Sequence, residues 1–98
     1  MPEREWKQRK IWKQILPLED VIRVKLPRDC VVLAVAVQYG QPVMWYSFHP
    51  HAEKDLELHE FRIATTGRSF DIPKDAKYIG MFMLYDGDFV GHLYQVFP

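Results

Sequence analysis

Residues 78–97 read YIGMFMLYDGDFVGHLYQVF, with apolar residues at nearly every second position on both sides of Asp86-Gly87. Such alternation is typical of β-strands. Asp-Gly is also a preferred pair for a two-residue hairpin turn, because both central positions of that turn need a positive φ. The stretch therefore predicts a β-hairpin with a tight turn at Asp86-Gly87.

The turn predicts which residues of this hairpin face each other. Counted outward from the turn, the expected pairs are Tyr85 with Asp88, Leu84 with Phe89, Met83 with Val90, Phe82 with Gly91 and Met81 with His92. Directly opposed residues share a face. One face then carries Phe82, Leu84, Phe89 and Leu93, and the other carries Ile79, Met81, Met83, Val90, Tyr94 and Val96. Gly91 leaves room for the ring of Phe82.

Both faces of the predicted hairpin are apolar, whereas one face of an antiparallel sheet is usually wet. Either the chain covers the second face with residues 49–58 or with its N-terminal arm, or another molecule covers it, most simply a second copy. Methionine side chains suit such an adaptable contact. We therefore predict a homo-oligomer that acts by binding, with the interface residues Met81, Met83, Val90, His92 and Tyr94.

Period-two alternation also runs through the segments KIWKQIL, VIRVKLP, CVVLAVAVQY, VMWYSF and HEFRIAT, although KIWKQIL suits a helical spacing as well. In the third segment Val32, Ala34 and Ala36 share a predicted face, and the small alanines indicate close packing there. Short strands separated by turns predict an all-β fold. We expect a single small antiparallel β-sandwich or barrel of about seven strands, with one short helical turn near residues 50–58.

The chain has 98 residues, which suits one domain over residues 1–98. Residues 1–8 form a predicted flexible extension. The first thirteen residues contain five basic side chains and two tryptophans, which suit an arm for nucleic acid or a membrane surface, although a frayed terminus before an edge strand explains them as well. The whole chain has 13 Lys and Arg against 13 Asp and Glu. That balance argues against nucleic acid as a partner, since phosphate binding needs a basic stripe.

The single cysteine, Cys30, has no partner for an internal disulfide, which small secreted domains usually need. The N-terminus has no apolar signal segment, and the longest apolar run, CVVLAVAV, is too short to span a bilayer. The expected location is the cytoplasm, with no membrane contact. We expect Cys30 to be a small core residue rather than a reactive thiol.

Histidines supply one alternative function, a metal site. His49 and His51 form an H-x-H pair, and His59 follows with several glutamates nearby. Such a set can hold a divalent metal, and it loosely resembles the cupin metal motif. The glycine and glutamate spacings of that motif are absent, and Pro50 disturbs strand pairing. A polar loop with solvated histidines therefore explains the segment as well, and no cofactor is predicted.

A second alternative is a small-ligand or anion site. The turn Thr65-Thr66-Gly67-Arg68-Ser69 has a glycine, hydroxyls and a guanidinium that can hold an anion, although it lacks the phosphate-loop spacing. The ligand-binding residues in this alternative are Trp45, Tyr46, Arg62 and Arg68. No catalytic residue is predicted, because turn chemistry explains Asp86 and Asp88 and no serine lies in a nucleophile elbow.

Four blocks carry a resemblance in their order: the Ile-Trp-Lys start, the turn VQYGQP before a Trp, the FRI…TG block, and the strand YIGMF with its closing hairpin. Together they resemble a family of small uncharacterised proteins encoded widely in bacteriophages and prophages. The resemblance implies a small β-rich fold, a bacterial host cytoplasm, and a host or phage protein as a possible partner. It implies no activity and no site residues. Residues 1–8 and the segment HPHAEKDLELH depart from the family pattern.

Overall fold

The computed structural model describes residues 4–98, which form seven β-strands and two short 3-10 turns. The strands are β1 (Lys10–Ile15), β2 (Val21–Pro27), β3 (Val31–Gln38), β4 (Gln41–Phe48), β5 (Leu56–Thr65), β6 (Lys77–Leu84) and β7 (Phe89–Val96). The 3-10 turns are Pro50–Ala52 and Tyr85–Gly87. The predicted all-β class, the strand number and the short helical turn are confirmed. Within the described residues no helix is long and apolar enough to cross a membrane.

Two antiparallel sheets form a small sandwich, with the strand orders β1-β4-β3 and β2-β5-β7-β6. The sandwich is closed where β3 runs beside β6. There a Cβ on Gly80 would stand only 3.2 Å from Cγ1 of Val35. On the opposite side the edge strands β1 and β2 leave an opening, lined in part by Trp12, Tyr46 and Phe48. Trp12 is 61% exposed because it stands at this open side.

The core lies between the two sheets and explains the alternation of the sequence. Its buried residues are Leu16, Ile22, Leu26, Val32, Met44, Tyr46, Phe48, Phe61, Ile63, Phe82, Leu84 and Leu93. Burying one such large side chain contributes about 1.5–3 kcal/mol. Cys30 packs against this cluster and is partly buried, in agreement with the expected core role.

The hairpin register is confirmed from Leu84 and Phe89 outward to Met81 and His92. The turn differs in one respect. Tyr85 also has a positive φ of 54°, next to 56° at Asp86, so the predicted Tyr85–Asp88 pair is outside the ladder. The N–H of Asp88 donates to the carbonyl of Tyr85 at 3.0 Å, which closes the turn around Asp86-Gly87.

Two β-bulges change the faces that simple alternation predicts. The pairing of β3 with β4 shifts between Val32 and Ala34. Val32 is therefore buried, while Ala34 and Ala36 are exposed, and the prediction that these three residues share a closely packed face is wrong. A second bulge separates Tyr78 from Gly80 in β6.

The second bulge matters for Ile79. The alternation places Ile79 on the outer face of the hairpin, but the side chain packs against the core cluster instead. A bulge inserts one residue into a strand, so every residue before it changes face. Tyr78, before the bulge, therefore shares the outer face of β6 with Met81, and its ring contacts His92 and Tyr94 there.

The chain before β1 has no regular structure at residues 4–9, and the first three residues lie outside the described ones. Arg9 ties the end of this segment to the sandwich. Its guanidinium donates to Asp29 at 2.9 Å and to the carbonyl of Ser47 at 3.0 Å. The predicted extension therefore ends by residue 9.

Candidate functional site

The predicted interface residues all lie on the outer face of the β6–β7 hairpin. Met81 is 44% exposed and Met83 is 52% exposed. Val90, His92 and Tyr94 are half-buried on the same face. The hairpin thus brings these five residues together, and the two methionines are the more exposed among them.

The connection between β5 and β6, residues 66–76, covers part of this face. The ring of Phe70 packs against Tyr94 with the centroids 5.6 Å apart. His92 holds the start of the connection, because its Nε2 lies 2.7 Å from the hydroxyl of Thr66. The other ring nitrogen, Nδ1, lies 3.0 Å from the hydroxyl of Tyr78. The sequence suggested residues 49–58, the N-terminal arm or a second copy as the cover, and overlooked this connection.

The outer face of the three-stranded sheet is a second apolar surface, which we call the β1-β4-β3 face. Its members are Ile11, Lys13, Ile15, Val31, Leu33, Ala34, Ala36, Val43, Trp45 and Ser47. Ile11 is 57% exposed, Leu33 is 49% exposed, and both alanines are exposed. The signal for this surface was present, since β3 and β4 read as apolar on both faces.

Lys13 is the one charged side chain among these ten members. Its Nζ donates to Oε1 of Gln38 at 2.7 Å and therefore reaches across the sheet from β1 to β3. Val43 lies between these two edge strands and is only 1% exposed. At the other end of the face Arg9, which is paired with Asp29, donates to Oγ of Ser47 at 3.2 Å.

A cavity of about 360 Å³ lies at the end of the four-stranded sheet. β5 begins at Leu56, but its ladder with β7 begins only at Glu60, which pairs with Val96. Residues 56–59 therefore pair with β2 alone, and the space beside them is open. Cys30, His59 and Gln95 line this space from the inner side.

Two ion pairs stand at the rim of this cavity. Arg28 binds Glu57 at 2.8 Å, and Arg23 binds Glu60 at 3.1 Å. The hydrogen bond from Arg62 is the largest influence on Glu60 and, with that from Arg23, holds the pKa of the carboxyl below its usual range. Both guanidinium groups of the rim are therefore already paired with carboxylates.

The Cys30 thiol is close to an imidazole but is not activated by it. Its Sγ lies 3.8 Å from Nε2 of His59, which itself lies 3.8 Å from Oε1 of Glu57. Burial, with smaller contributions from Asp29 and Glu57, raises the pKa of Cys30 to about 11. Since the thiolate is the nucleophile, the geometry does not favour covalent catalysis here.

All seven strands lie within the part of the chain that matches one known protein family. Residues 7–97 match the model of a family described as Domain of unknown function (DUF7352). The chain belongs to this family. Searches of the curated proteins and of the solved structures found no match. The resemblance to an uncharacterised family is thus confirmed, while nothing in the family description points to phages.

The DUF7352 domain does not bring the predicted ligand residues together. Trp45 and Tyr46 are neighbours in β4, so their side chains point to opposite faces: Tyr46 is buried in the core and Trp45 lies on the β1-β4-β3 face. Arg62 and Arg68 do line one cavity of about 360 Å³, on the other sheet. Arg62 is paired with Glu60 at 2.9 Å. The predicted site is therefore split between three places.

The predicted metal residues are also separated. The rings of His49 and His51 stack at 4.7 Å, and Nδ1 of His49 accepts a hydrogen bond from the backbone N–H of His51. His59 lies instead beside Cys30 at the cavity end of β5. Over residues 4–98 no three or more histidine, cysteine, aspartate or glutamate side chains are grouped so that they could hold a metal ion.

Proposed function

We propose that this DUF7352 protein acts by protein–protein binding, and that the β1-β4-β3 face binds a second copy of the chain. The observation that supports the proposal is the exposure of this face, where Ile11, Ile15 and Val31 are 57%, 50% and 47% exposed. Contiguous exposed apolar surface of this kind is typical of interaction sites, whereas single exposed apolar residues are not.

The chemistry of the face favours a second copy over a charged partner. Lys13 is the one charged side chain among its ten members, and Arg9, which contacts Ser47 at its edge, is neutralised by Asp29. The chain as a whole has a formal net charge of +0, so two copies do not repel each other. A two-fold interface uses the same patch twice, so that patch must supply both large and small side chains. Trp45 supplies a large side chain. Ala34, which lies opposite Trp45 in the register, and Ala36 next to it supply small ones.

The size of the face predicts a weak dimer. Three strands spaced about 4.8 Å apart and about eight residues long cover roughly 15 by 25 Å. A standard stable interface buries about 800 Å² per partner, which is more than this face offers in projection. We therefore expect a dimer that dissociates upon dilution through the micromolar range.

Sedimentation velocity over a series of protein concentrations tests this proposal. The wild-type chain should change from dimer to monomer upon dilution. Leu33→Asp should give a monomer at every concentration, because it places a carboxylate within the interface, while the fold is retained at an exposed position. Met83→Asp is the matched control on the other sheet and should dimerise like the wild type.

Two results would refute the proposal: a wild-type chain that stays monomeric at millimolar concentration, or a Leu33→Asp variant that still dimerises. Loss of the dimer in Met83→Asp alone would assign the contact to the hairpin face instead. The exposure of Met81 and Met83 makes that face the second candidate surface. Tyr94→Asp is a poorer probe, because Tyr94 packs under Phe70.

The cellular setting in this proposal rests on the sequence alone. We propose the cytoplasm of a bacterium that carries phage genes, with a host or phage protein as a further partner. The support is the resemblance of the four sequence blocks, since the DUF7352 description names no host and no activity.

A further inference from the structure

Gln95 is an unusual residue for the inner side of a sandwich. It lies on β7 opposite Phe61 and Lys77, is only 5% exposed, and is the one buried polar residue among those that the structure describes. A buried amide normally has hydrogen-bond partners, because an unpaired one costs about 1–3 kcal/mol. The environment of this amide therefore needs an explanation.

Gln95 lines the cavity at the end of the four-stranded sheet, together with Cys30 and His59. Among residues 4–98 the side chain of Gln95 takes part in no hydrogen bond. Every side-chain nitrogen or oxygen there that is fully shielded from solvent does have a hydrogen-bond partner. The amide atoms must therefore keep access to the cavity, where both a donor and an acceptor are available.

The charges around the cavity are balanced. The guanidinium groups of Arg23 and Arg28 are neutralised by Glu60 and Glu57. A charged ligand would have to break one of these pairs before it gained a new one. The thiol of Cys30 is neutral, because burial raises its pKa to about 11. An uncharged ligand therefore matches the cavity better than an anion or a cation.

We propose that this cavity binds a small, uncharged, planar molecule that presents a hydrogen-bond donor next to an acceptor. The edge of a nucleobase and a primary carboxamide both have this chemistry. A glutamine amide pairs with such an edge through two parallel hydrogen bonds, as it does with adenine. The cavity volume of about 360 Å³ is within the range of small-molecule sites.

The site is independent of the proposed dimer, because it lies on the four-stranded sheet and the β1-β4-β3 face does not contribute to it. Its polar walls come from three elements: Gln95 from β7, His59 from β5, and Cys30 from the turn before β3. Leu58, Val96 and Phe97 add apolar side chains to the lining.

Titration of the ¹⁵N-labelled protein, followed by NMR, tests the proposal with four probes. 9-Methyladenine is compared with 9-methylpurine, which lacks the exocyclic amino group and has no other N–H donor, and benzamide is compared with benzoate, which replaces the amide by a charge. We expect the side-chain NH₂ signals of Gln95 to shift saturably with 9-methyladenine or with benzamide. 9-Methylpurine and benzoate should bind at least tenfold more weakly than their matched probes. Saturation by 9-methyladenine alone assigns a nucleobase, and saturation by benzamide alone assigns a carboxamide.

Variants separate the site from nonspecific binding. Gln95→Met keeps the length of the side chain and should abolish the shifts at neighbouring amides, whereas Gln41→Met, at an exposed position of the β3–β4 hairpin, should not change them. If Gln95→Met does not fold, the Gln95 signals of the wild-type chain decide the question alone. The proposal is overturned if no probe shifts those signals at its solubility limit, or if benzoate binds as tightly as benzamide.

Discussion

The ring of Phe82 lies directly over Gly91 on the neighbouring strand. A Cβ atom at Gly91 would stand 2.5 Å from Cζ of Phe82, and 2.9 and 3.0 Å from its two Cε atoms. Both residues are buried, and they face each other in the β6–β7 ladder. Gly91 therefore provides the space for the ring of Phe82, as the hairpin register predicted.

This contact predicts a large effect for Gly91→Ala. We expect the free energy of unfolding to fall by about 1–3 kcal/mol, because overpacking forces the ring or the backbone to move. Denaturant unfolding measures the loss. Gly80→Ala is the matched control, since its Cβ would meet a single atom of Val35 at 3.2 Å, and its loss should be smaller.

A double-mutant cycle shows whether the ring is the cause. In a Phe82→Leu background the added methyl at Gly91 has room, so Gly91→Ala should cost clearly less than in the wild type. An equal cost in both backgrounds would contradict the steric explanation and point to the strand backbone instead.

The β3–β4 hairpin predicts a stabilising substitution. Tyr39 is 93% exposed, yet it has a φ of 52°, and Gly40 follows with a φ of 74°. A left-handed conformation costs most residues about 1–2 kcal/mol, whereas asparagine tolerates it. We expect Tyr39→Asn to raise the free energy of unfolding by about 0.5–1 kcal/mol, because Asn-Gly is the preferred pair for this turn.

Gly40→Ala gives the opposite test at the same turn. A Cβ at Gly40 would meet nothing within 4 Å, so any loss of stability comes from the backbone alone. We expect a loss of about 1 kcal/mol. If Gly40→Ala is neutral while Tyr39→Asn stabilises, relief of backbone strain is not the reason for the gain.

The sequence predicted the local structure well because most of the strands have one buried face. Phe82, Leu84 and Leu93 were assigned to one face of the hairpin by period-two alternation, and the structure buries all three. The bulges were not predictable in this way. A bulge adds one residue to a strand without any composition signal, and the faces assigned to Ala34 and Ile79 failed for that reason.

The candidate sites were harder to predict, because they depend on which strands are neighbours in space. Gln95 is a polar residue in an apolar strand, and only the position of β5 relative to the end of β7 shows that it borders a cavity. Trp45 and Tyr46 were grouped because they are adjacent in sequence, yet adjacent strand residues point to opposite faces. Which residues share a site therefore depends on the pairing between strands rather than on residue type.

The pKa of Cys30 predicts how slowly the thiol reacts. Because burial raises this pKa from an ordinary 9.0 to about 11, the thiolate fraction of the folded protein is small at neutral pH. We expect the rate of alkylation by iodoacetamide to rise about tenfold per pH unit and to level off only near pH 11. The same chain unfolded in urea should level off near pH 9.

The sign of the shift also makes stability depend on pH. The folded state holds the thiol proton more tightly than the unfolded state. The resulting contribution to the free energy of unfolding is therefore complete below pH 9 and is lost as the pH rises toward 11. Cys30→Ala should lack that loss when its unfolding is compared with the wild type at each pH. Identical alkylation profiles for the folded and unfolded chains would contradict the shift itself.

The hydrogen bond between Thr66 and His92 predicts how firmly the connection over the hairpin is held. Thr66→Val removes the hydroxyl that lies 2.7 Å from Nε2 of His92, but it keeps the shape of the side chain. One such bond contributes about 1 kcal/mol, which corresponds to roughly a fivefold change in local opening. Hydrogen exchange at the amides of Arg68 and Ala76 should therefore be about fivefold faster.

The matched control is Thr65→Val, one residue earlier at the end of β5, because the Thr65 hydroxyl takes no part in this network. Exchange in β4 should not change in either variant, because this strand lies in the other sheet. Faster exchange at Arg68 and Ala76 would mean that His92 anchors the cover of the outer hairpin face. Unchanged exchange there would mean that the packing of Phe70 on Tyr94 holds the connection without the hydrogen bond.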